Sequence, residues 1–388
     1  MSGSDRREFL QKAGLAGMFS AMSPLAFGQA ASGAVVAEPA KFNPLPPPKH
    51  SIKFAAIGMD HAHIYGMVSA IQRGGGELVS FYAYGNDASQ IAQFRERFGD
   101  IKLARSEDEI LEDKSIQLVV AAPIPDQRAP LGVRVMRAGK DYLGDKPAIT
   151  TLEQLADVRR AVKETKRKFA IMYSERLEVR SAVYAGELVK QGAIGRVIQT
   201  INLGPHRVNA PSRPEWFFDK ARYGGILTDI GSHQADQFLF YTNSTRARVV
   251  AAQTGNLAHP QYPKFEDFGD MIIAGNGGTG YVRVDWFTPD GLSTWGDGRL
   301  FILGTEGYIE LRKYVNIASG LSGGNHLYIV DQKRTRYIDC KDVPLPFGPQ
   351  FVEDIVNRTQ NAQDQEQALL AAELVLTGQK NATPPIIS

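Results

Sequence analysis

The chain has 388 residues, 43% of them hydrophobic and 22% charged, an ordinary globular composition with room for about two domains. A formal net charge of +2 gives no electrostatic reason to expect nucleic acid or an anionic membrane surface as a partner. The single cysteine, Cys340, excludes an intrachain disulfide and any Cys-x-x-Cys metal motif, and reads as a small buried hydrophobe.

The N-terminus reads as a targeting segment. Asp5-Arg6-Arg7-Glu8-Phe9-Leu10-Gln11-Lys12 matches the twin-arginine pattern. The apolar run Ala13 to Phe27, interrupted by Gly14 and Gly17, is too short for a membrane span and suits a signal peptide. Gly28-Gln29-Ala30 offers a small-x-small cleavage site. Residues 1–30 are therefore expected to be a twin-arginine signal peptide. The export machinery would be its partner and the periplasm the destination. That route carries proteins already folded, and so suits one that loads a cofactor in the cytoplasm. Residues 31–50, with Pro44, Pro46, Pro47 and Pro48, read as an extended linker. No later run of 18 or more apolar residues exists, so no membrane span is expected after processing.

From residue 51 the pattern alternates. Ile52 to Ile57 is an apolar run ending at Gly58, the signature of a buried parallel strand. Ile64 to Arg73 is expected to be helical, Leu78 to Tyr84 a strand, and Ala88 to Phe98 a helix. Ser106-x-x-Glu109 opens a short helix as a capping box. A strand at Leu118 to Ala122 precedes a helix capped by Asp126 and stopped by Gly139. Asp141 to Leu143 is a strand, Thr151-x-x-Gln154 caps the next helix, and Phe169 to Tyr173 is the last strand. This alternation predicts an α/β domain over 51–173, a Rossmann-type doubly wound parallel sheet. Ligands in such sheets bind beyond the carboxyl ends of the strands, which places Gly58, Ala122, Pro123 and Lys146 in one crevice.

After Ser174 a helix near Ser181 to Gln191 gives way to alternating strands. These are Arg196–Leu203, Gly280–Phe287, Arg299–Gly304, Tyr308–Leu311, Leu327–Val330 and Thr335–Ile338. Val282, Val284 and Trp286 share one face of the second of them. Phe347 to Gln360 and Gln363 to Gln379 read as closing helices. Residues 174–388 are thus expected to form an α+β domain with a mainly antiparallel open sheet that binds substrate and builds an oligomer.

Two short stretches carry the chemistry. Gly144-Asp145-Lys146-Pro147 puts a lysine at a strand end, aimed by the following proline. Gly224 to Asp236 puts Asp229 and His233 four residues apart, on one face of a helix whose apolar stripe is Leu227, Ile230 and Phe238. A neutral His233 can take a hydroxyl proton as hydride leaves carbon, with Lys146 polarising the oxygen and Asp229 orienting a neighbour or binding a second substrate hydroxyl. Trp216, Phe217, Arg222, Tyr223, Trp286 and Trp295 are candidates to line a sugar pocket. His61 and His63 have spacing that can bind metal, but need further ligands, with Asp229 and His233 as possible partners. Packing or cofactor contact is the expectation for both, and no resident metal is expected.

These motifs together resemble the Gfo/Idh/MocA family, the relatives of glucose–fructose oxidoreductase and inositol dehydrogenase. Gly139 to Pro147 is similar to the family's G-K-H-V-x-x-E-K-P stretch, with Asp145 in place of Glu. Leu188 to Val197 is similar to L-x-x-x-G-x-I-G-x-V, and Gly224 to Asp236 to G-G-G-x-L-x-D-x-G-x-H-x-x-D. Gly304-Thr305-Glu306-Gly307 is similar to a further family turn. The resemblance spans about residues 51 to 380. It implies a nicotinamide cofactor, a homodimer or homotetramer, and Lys146, Asp229 and His233 as catalytic or substrate-positioning groups. The family's first loop is G-x-G-x-x-G or G-x-G-x-x-A. Here it is Gly58-Met59-Asp60-His61-Ala62-His63, with Asp60 at the second glycine and His63 at the third. Either Asp60 points away from the pyrophosphate, or the cofactor sits differently, or this branch has lost it. Gly58, Asp60, His61, Asn86, Ala122, Pro123 and Lys146 are the expected cofactor contacts. No arginine follows the second strand for a 2′-phosphate, which favours NAD over NADP.

The expected function is a periplasmic NAD(P)-dependent oxidoreductase acting on a sugar, glycoside or polyol. One alternative is an NAD-dependent glycosidase or lyase that oxidises a sugar transiently with no net redox. The other is a cofactor-free sugar-binding or metal-site protein on the same fold.

Overall fold

The computed structural model describes residues 35–320 and 323–385, with the backbone alone at Asn86. The twin-arginine segment and its cleavage site lie outside the described residues. Among the described residues, no helix is long and apolar enough to cross a membrane.

Val36–Pro39 (β1), inside the stretch expected to be a linker, is a strand paired parallel to Thr335–Asp339. Its proline is tolerated because β1 lies at a sheet edge, where a missing N–H costs no ladder bond. The prolines that follow hide this strand from a reading by composition.

The alternating region contains β2 (Ile52–Ile57), α1 (His63–Arg73), β3 (Gly76–Tyr82), α2 (Ala88–Phe98), β4 (Lys102–Leu103) and α3 (Glu107–Glu112). Then come β5 (Leu118–Ala121), α4 (Pro125–Arg137), β6 (Asp141–Asp145), α5 (Leu152–Thr165) and β7 (Phe169–Met172). The six strands β2 to β7 form an all-parallel sheet in the order β4-β3-β2-β5-β6-β7. Every residue of β5, β6 and β7 is buried, which is why β5 and β7 read as apolar runs and not as alternations. The order reverses between β2 and β5, so the crevice opens past their carboxyl ends.

The expected caps are in place. The Ser106 hydroxyl accepts from the Glu109 amide at 3.2 Å, and Thr151 from the Gln154 amide at 3.1 Å. Two local expectations change. β3 stops at Tyr82, because Gly85 takes a positive φ of 66° inside a 3-10 turn, Tyr84–Asn86. Asp126 does not cap α4: Pro125 occupies the first turn, and Asp126 follows it and pairs with Arg222 at 3.2 Å.

Gly58 sits at φ +74°, and a Cβ there would lie 2.8 Å from the Pro123 backbone. The β2 and β5 ends can therefore approach only with glycine at this position. Gly58→Ala is expected to lower the unfolding free energy by more than about 2 kcal/mol, from a strained φ and a backbone clash together. A urea midpoint within error of wild type would show that the turn relaxes instead.

The second half begins with α6 (Ser174–Leu177), α7 (Arg180–Lys190), β8 (Val197–Pro205), α8 (Lys220–Tyr223), α9 (Ile226–Asp229) and α10 (Gly231–Thr242). Seven strands follow: β9 (Ala247–Gly255), β10 (Phe268–Gly275), β11 (Thr279–Asp285), β12 (Arg299–Gly304), β13 (Gly307–Arg312), β14 (His326–Asp331) and β15 (Thr335–Asp339). The chain closes with α11 (Phe347–Asn357) and α12 (Gln365–Asn381). The sheet has nine strands in the order β1-β15-β14-β13-β12-β8-β11-β10-β9, antiparallel except at β1–β15 and β8–β11. The fold is α/β with an N-terminal Rossmann-type sheet and a mainly antiparallel second sheet. β9 and β10 escape the sequence pattern because glycines and half-buried residues blur their alternation.

Val282 and Val284 of β11 are buried, and α10 packs against β8 and β11. Cys340 is buried in the core beneath β12 to β15, as a lone apolar thiol should be. The closing helices return to the first sheet: α11 packs on α1, and α12 on α5 and β7. Gln363 and Gln365 hydrogen-bond the free backbone edge of β7, at Ile171 and Phe169, and so cover a strand edge that would otherwise invite pairing.

Candidate active site

β6 ends at Asp145, and the cis Lys146–Pro147 peptide turns the chain into the crevice. The Lys146 ammonium is 6% exposed and donates to Asp229 Oδ1 at 2.8 Å. Asp229 arrives from the second half. Gly224 and Gly225, at φ +89° and +92°, turn the chain sharply into α9, and a Cβ on Gly225 would collide with the Gln379 side chain at 2.3 Å. Burial pushes the Asp229 carboxyl up, but the Lys146 charge and hydrogen bond outweigh it and bring it below the usual carboxylate range.

Behind Lys146 lies a cluster around Asp145, which is fully buried. His63 Nδ1 lies 2.9 Å from its Oδ1, while His61 Nδ1 and Arg128 Nη2 each lie 3.1 Å from its Oδ2. Arg128 is also fully buried. Its Nε donates to the Pro123 carbonyl at 2.7 Å, and its Nη1 to the carbonyls of Lys146 and Pro147. One guanidinium thus ties the β5 end to the β6 end. Burial raises the Asp145 carboxyl, yet His63, Arg128 and His61 hold it well below its ordinary value. Burial and the neighbouring His63 lower His61 to about 4, so it is neutral near pH 7 and the fixed charge facing Asp145 is that of Arg128.

A cavity of about 290 Å³ opens in front of these groups. His61, Arg128, Lys146 and Asp229 line it together with His206, Trp216, Phe217, Tyr223, Trp286 and Trp295. His206 packs on Trp295 and Trp286, with ring centres 4.5 and 5.3 Å away. The Arg213 guanidinium sits 4.5 Å from the Phe217 ring centre. The aromatic wall is therefore real, except that Arg222 is drawn off to Asp126 and does not line the cavity.

His233 is 3% exposed and does not line the cavity; its Nδ1 is buried without a partner. It and Asp229 stay close in sequence but serve different surroundings. Asp229 faces Lys146, whereas the charges acting most on His233 are those of Glu175 and Lys146. Glu175 accepts from Lys313 at 2.6 Å, both fully buried, and from Gln234 at 3.2 Å. Burial pushes Glu175 up, but Lys313, His233 and His206 bring it down to about 2. Asp236 is in a buried bidentate pair with Arg176 at 2.5 and 2.9 Å. A helix with nearly every residue buried cannot be sorted into an apolar and a functional face by periodicity.

Two important residues were missed by the sequence reading. His206 follows the β8 end, a position with a functional bias in sheets but no motif around it here. Arg128 is one arginine within a helix, and its partners lie 5 to 19 residues away.

Burial drives His233 down to about 3 and, with Lys146 adding to it, His206 to about 4. Both are neutral in the folded protein, whereas an unfolded histidine takes up a proton below about pH 6.5. The unfolded chain then binds more protons, so stability is full above about pH 6.5 and falls as the pH drops towards 4 and below. The urea midpoint should decline steadily from pH 7 to 4.5, with net proton uptake on unfolding. A flat profile over that window would mean that the imidazoles are already charged when folded.

The residues at the crevice suit a dinucleotide in part. Gly58 keeps the tight turn, Ala122 and Pro123 close the β5 end, and the His61 amide donates to the Ala122 carbonyl at 3.2 Å. The first turn of α1 carries no acidic residue and no side-chain cap. His63, at the position of the third glycine, is turned towards Asp145. Asp60 lies outside the cavity lining, and burial raises its carboxyl, with a backbone hydrogen bond, Arg128 and Arg222 opposing. Asn86 closes the turn after β3, and its side chain lies outside the described residues.

A family model described as "Oxidoreductase family, NAD-binding Rossmann fold" matches residues 52–173, and "GFO/IDH/MocA C-terminal domain" matches residues 183–310. The crystal structure of a candidate oxidoreductase from Erwinia carotovora atroseptica is 49% identical, with a TM-score of 0.82, over 86% of this chain and 99% of that one. Levoglucosan dehydrogenase in complex with NADH shares the fold at 18% identity and a TM-score of 0.69, over 86% and 98% of the two chains. A 1,5-anhydro-D-fructose reductase from Ensifer adhaerens is 26% identical over 194 residues, 48% of this chain and 55% of the relative. A D-xylose dehydrogenase from Paenarthrobacter nicotinovorans is 24% identical over 154 residues, 38% and 39% of the two. The chain spans about half the length of these curated relatives, or less.

Proposed function

Since this chain belongs to the Gfo/Idh/MocA oxidoreductase family, we propose that it is a sugar or polyol dehydrogenase or reductase that uses NAD or NADP. The observation that carries this reading is the Lys146–Asp229 pair, 2.8 Å apart in the lining of a cavity that several aromatic rings also line. Sugar C–H faces stack on such rings, while the ammonium takes an oxygen. Bound in the crevice, the nicotinamide would supply or accept the hydride. Gly58, His61, Ala122, Pro123 and Lys146 would hold it.

Lys146 donates to the reacting oxygen, and Asp229 holds the ammonium in place. The substrate proton passes to a neutral imidazole. His206 is at the wall, and its Nδ1 lies 3.1 Å from the Gly204 carbonyl. A carbonyl can only accept, so Nδ1 carries the proton and Nε2 offers its lone pair. His233, the acceptor expected from the sequence, lies deeper.

The twin-arginine segment supports export to the periplasm. There the cofactor would stay bound and be recycled by a second substrate, because cytoplasmic nicotinamide is out of reach. Val250, Ile272, Leu303 and Tyr308 are exposed on the face of the second sheet turned away from α10, which suits a homodimer or homotetramer built on that face. The test is to denature the purified protein and identify what it releases by mass spectrometry. About one NAD(H) or NADP(H) per chain, reduced or oxidised on mixing with a sugar panel, is the expected result. No released nucleotide and no binding of added nucleotide would overturn the reading. Changing Arg6 and Arg7 to lysine should keep the protein in the cytoplasm; unchanged export would remove the periplasmic assignment.

A further inference from the structure

We propose that His61, His63 and Asp145 form a binding site for one first-row divalent transition ion in the wall of the substrate cavity. The ligand-bearing atoms of the three side chains lie within 4.8 Å of one another. Two metal bonds of about 2.1 Å at about a right angle place their donor atoms about 3.0 Å apart. The separations here are 2.9 Å from His63 Nδ1 to Oδ1 and 3.1 Å from His61 Nδ1 to Oδ2.

A second observation points the same way. The backbone amide of His63 donates to His61 Nδ1 at 3.4 Å, which makes that nitrogen an acceptor. It nevertheless faces Asp145 Oδ2, a fully buried oxygen without a hydrogen-bond partner. Two lone pairs so close repel unless a cation lies between them. Arg128 Nη2, 3.1 Å from the same oxygen, supplies one positive charge there but no hydrogen bond, and the guanidinium is held by the carbonyls of Pro123, Lys146 and Pro147.

Two imidazoles and one carboxylate favour zinc, iron(II), cobalt or nickel over magnesium or calcium, which prefer all-oxygen sites. Three protein ligands leave positions open. His61, His63 and Lys146 line the same cavity, so those positions would take substrate oxygens, a ketone or neighbouring hydroxyls, beside the ammonium. The loop that departs from the glycine-rich pattern thereby acquires a role of its own.

The test uses the whole protein, stripped with a chelator and titrated with cobalt(II), with zinc as competitor and without nucleotide or sugar. Saturable visible d–d bands at about one ion per chain are expected. His61→Ala and His63→Ala should each weaken binding by about 100-fold, with the circular dichroism and urea midpoint near wild type. Absence of saturable binding, or full affinity retained in either variant, overturns the site. Asp145 is left intact because its loss would also unbalance Arg128. The readout involves neither nucleotide nor sugar, so this site and the redox reading can fail separately.

Discussion

Replacing Lys146 by alanine is expected to lower kcat by about 10³-fold, the range of a lost general acid or electrostatic contact at a reacting oxygen. The same change leaves the Asp229 carboxylate, 14% exposed, without its cation. The protein should therefore also lose about 2–3 kcal/mol of stability, less than the roughly 3–5 kcal/mol of a fully buried broken pair because Asp229 borders a cavity open to water. The double variant Lys146→Ala/Asp229→Asn separates the two effects. Removing the orphaned charge should restore most of the urea midpoint and none of the turnover. Turnover that returned with stability would make Lys146 a structural residue and sink its catalytic assignment.

Arg128→Met should be the change most damaging to stability. It removes the donors of three backbone carbonyls and the fixed positive charge beside Asp145, all buried. A loss of about 3–5 kcal/mol is expected, the size seen when one member of a buried pair is deleted. Arg128→Lys keeps the charge, but a single ammonium cannot span carbonyls on both strand ends, so an intermediate loss and a lower kcat are expected. Equilibrium urea unfolding at pH 7 gives the stabilities. If the methionine variant unfolded within about 1 kcal/mol of wild type, the carbonyls would have other donors and Arg128 would not be what positions Lys146.

The particular residues show where sequence reasoning works. Lys146 was legible because a strand, a turn and a proline are all local, and each leaves its own mark on the chain. Ala88 to Phe98 was legible to the residue, with Asp87 capping and Gly99 stopping the helix. β1 was not, because a four-residue edge strand in a proline-rich stretch takes its stability from its partner β15 and not from its own propensity. Asp229 was found as a neighbour of His233, but its real partner is Lys146, 83 residues earlier. Asp145 appeared only as a substitution in a motif, although it gathers two histidines and an arginine.

The sequence by itself determined the parallel sheet, the crevice at its switch point and most of the residues that face it, because hydrophobic period, caps and turn chemistry act over a few residues. Only the tertiary structure decided how those residues are paired: Lys146 with Asp229, Asp145 with Arg128, and Glu175 with Lys313. It also decided that His206 reaches the cavity wall while His233 stands behind it. Charge pairing and depth depend on which elements pack together, and in a buried site the desolvation of each group and the field of distant neighbours outweigh anything its own segment contributes.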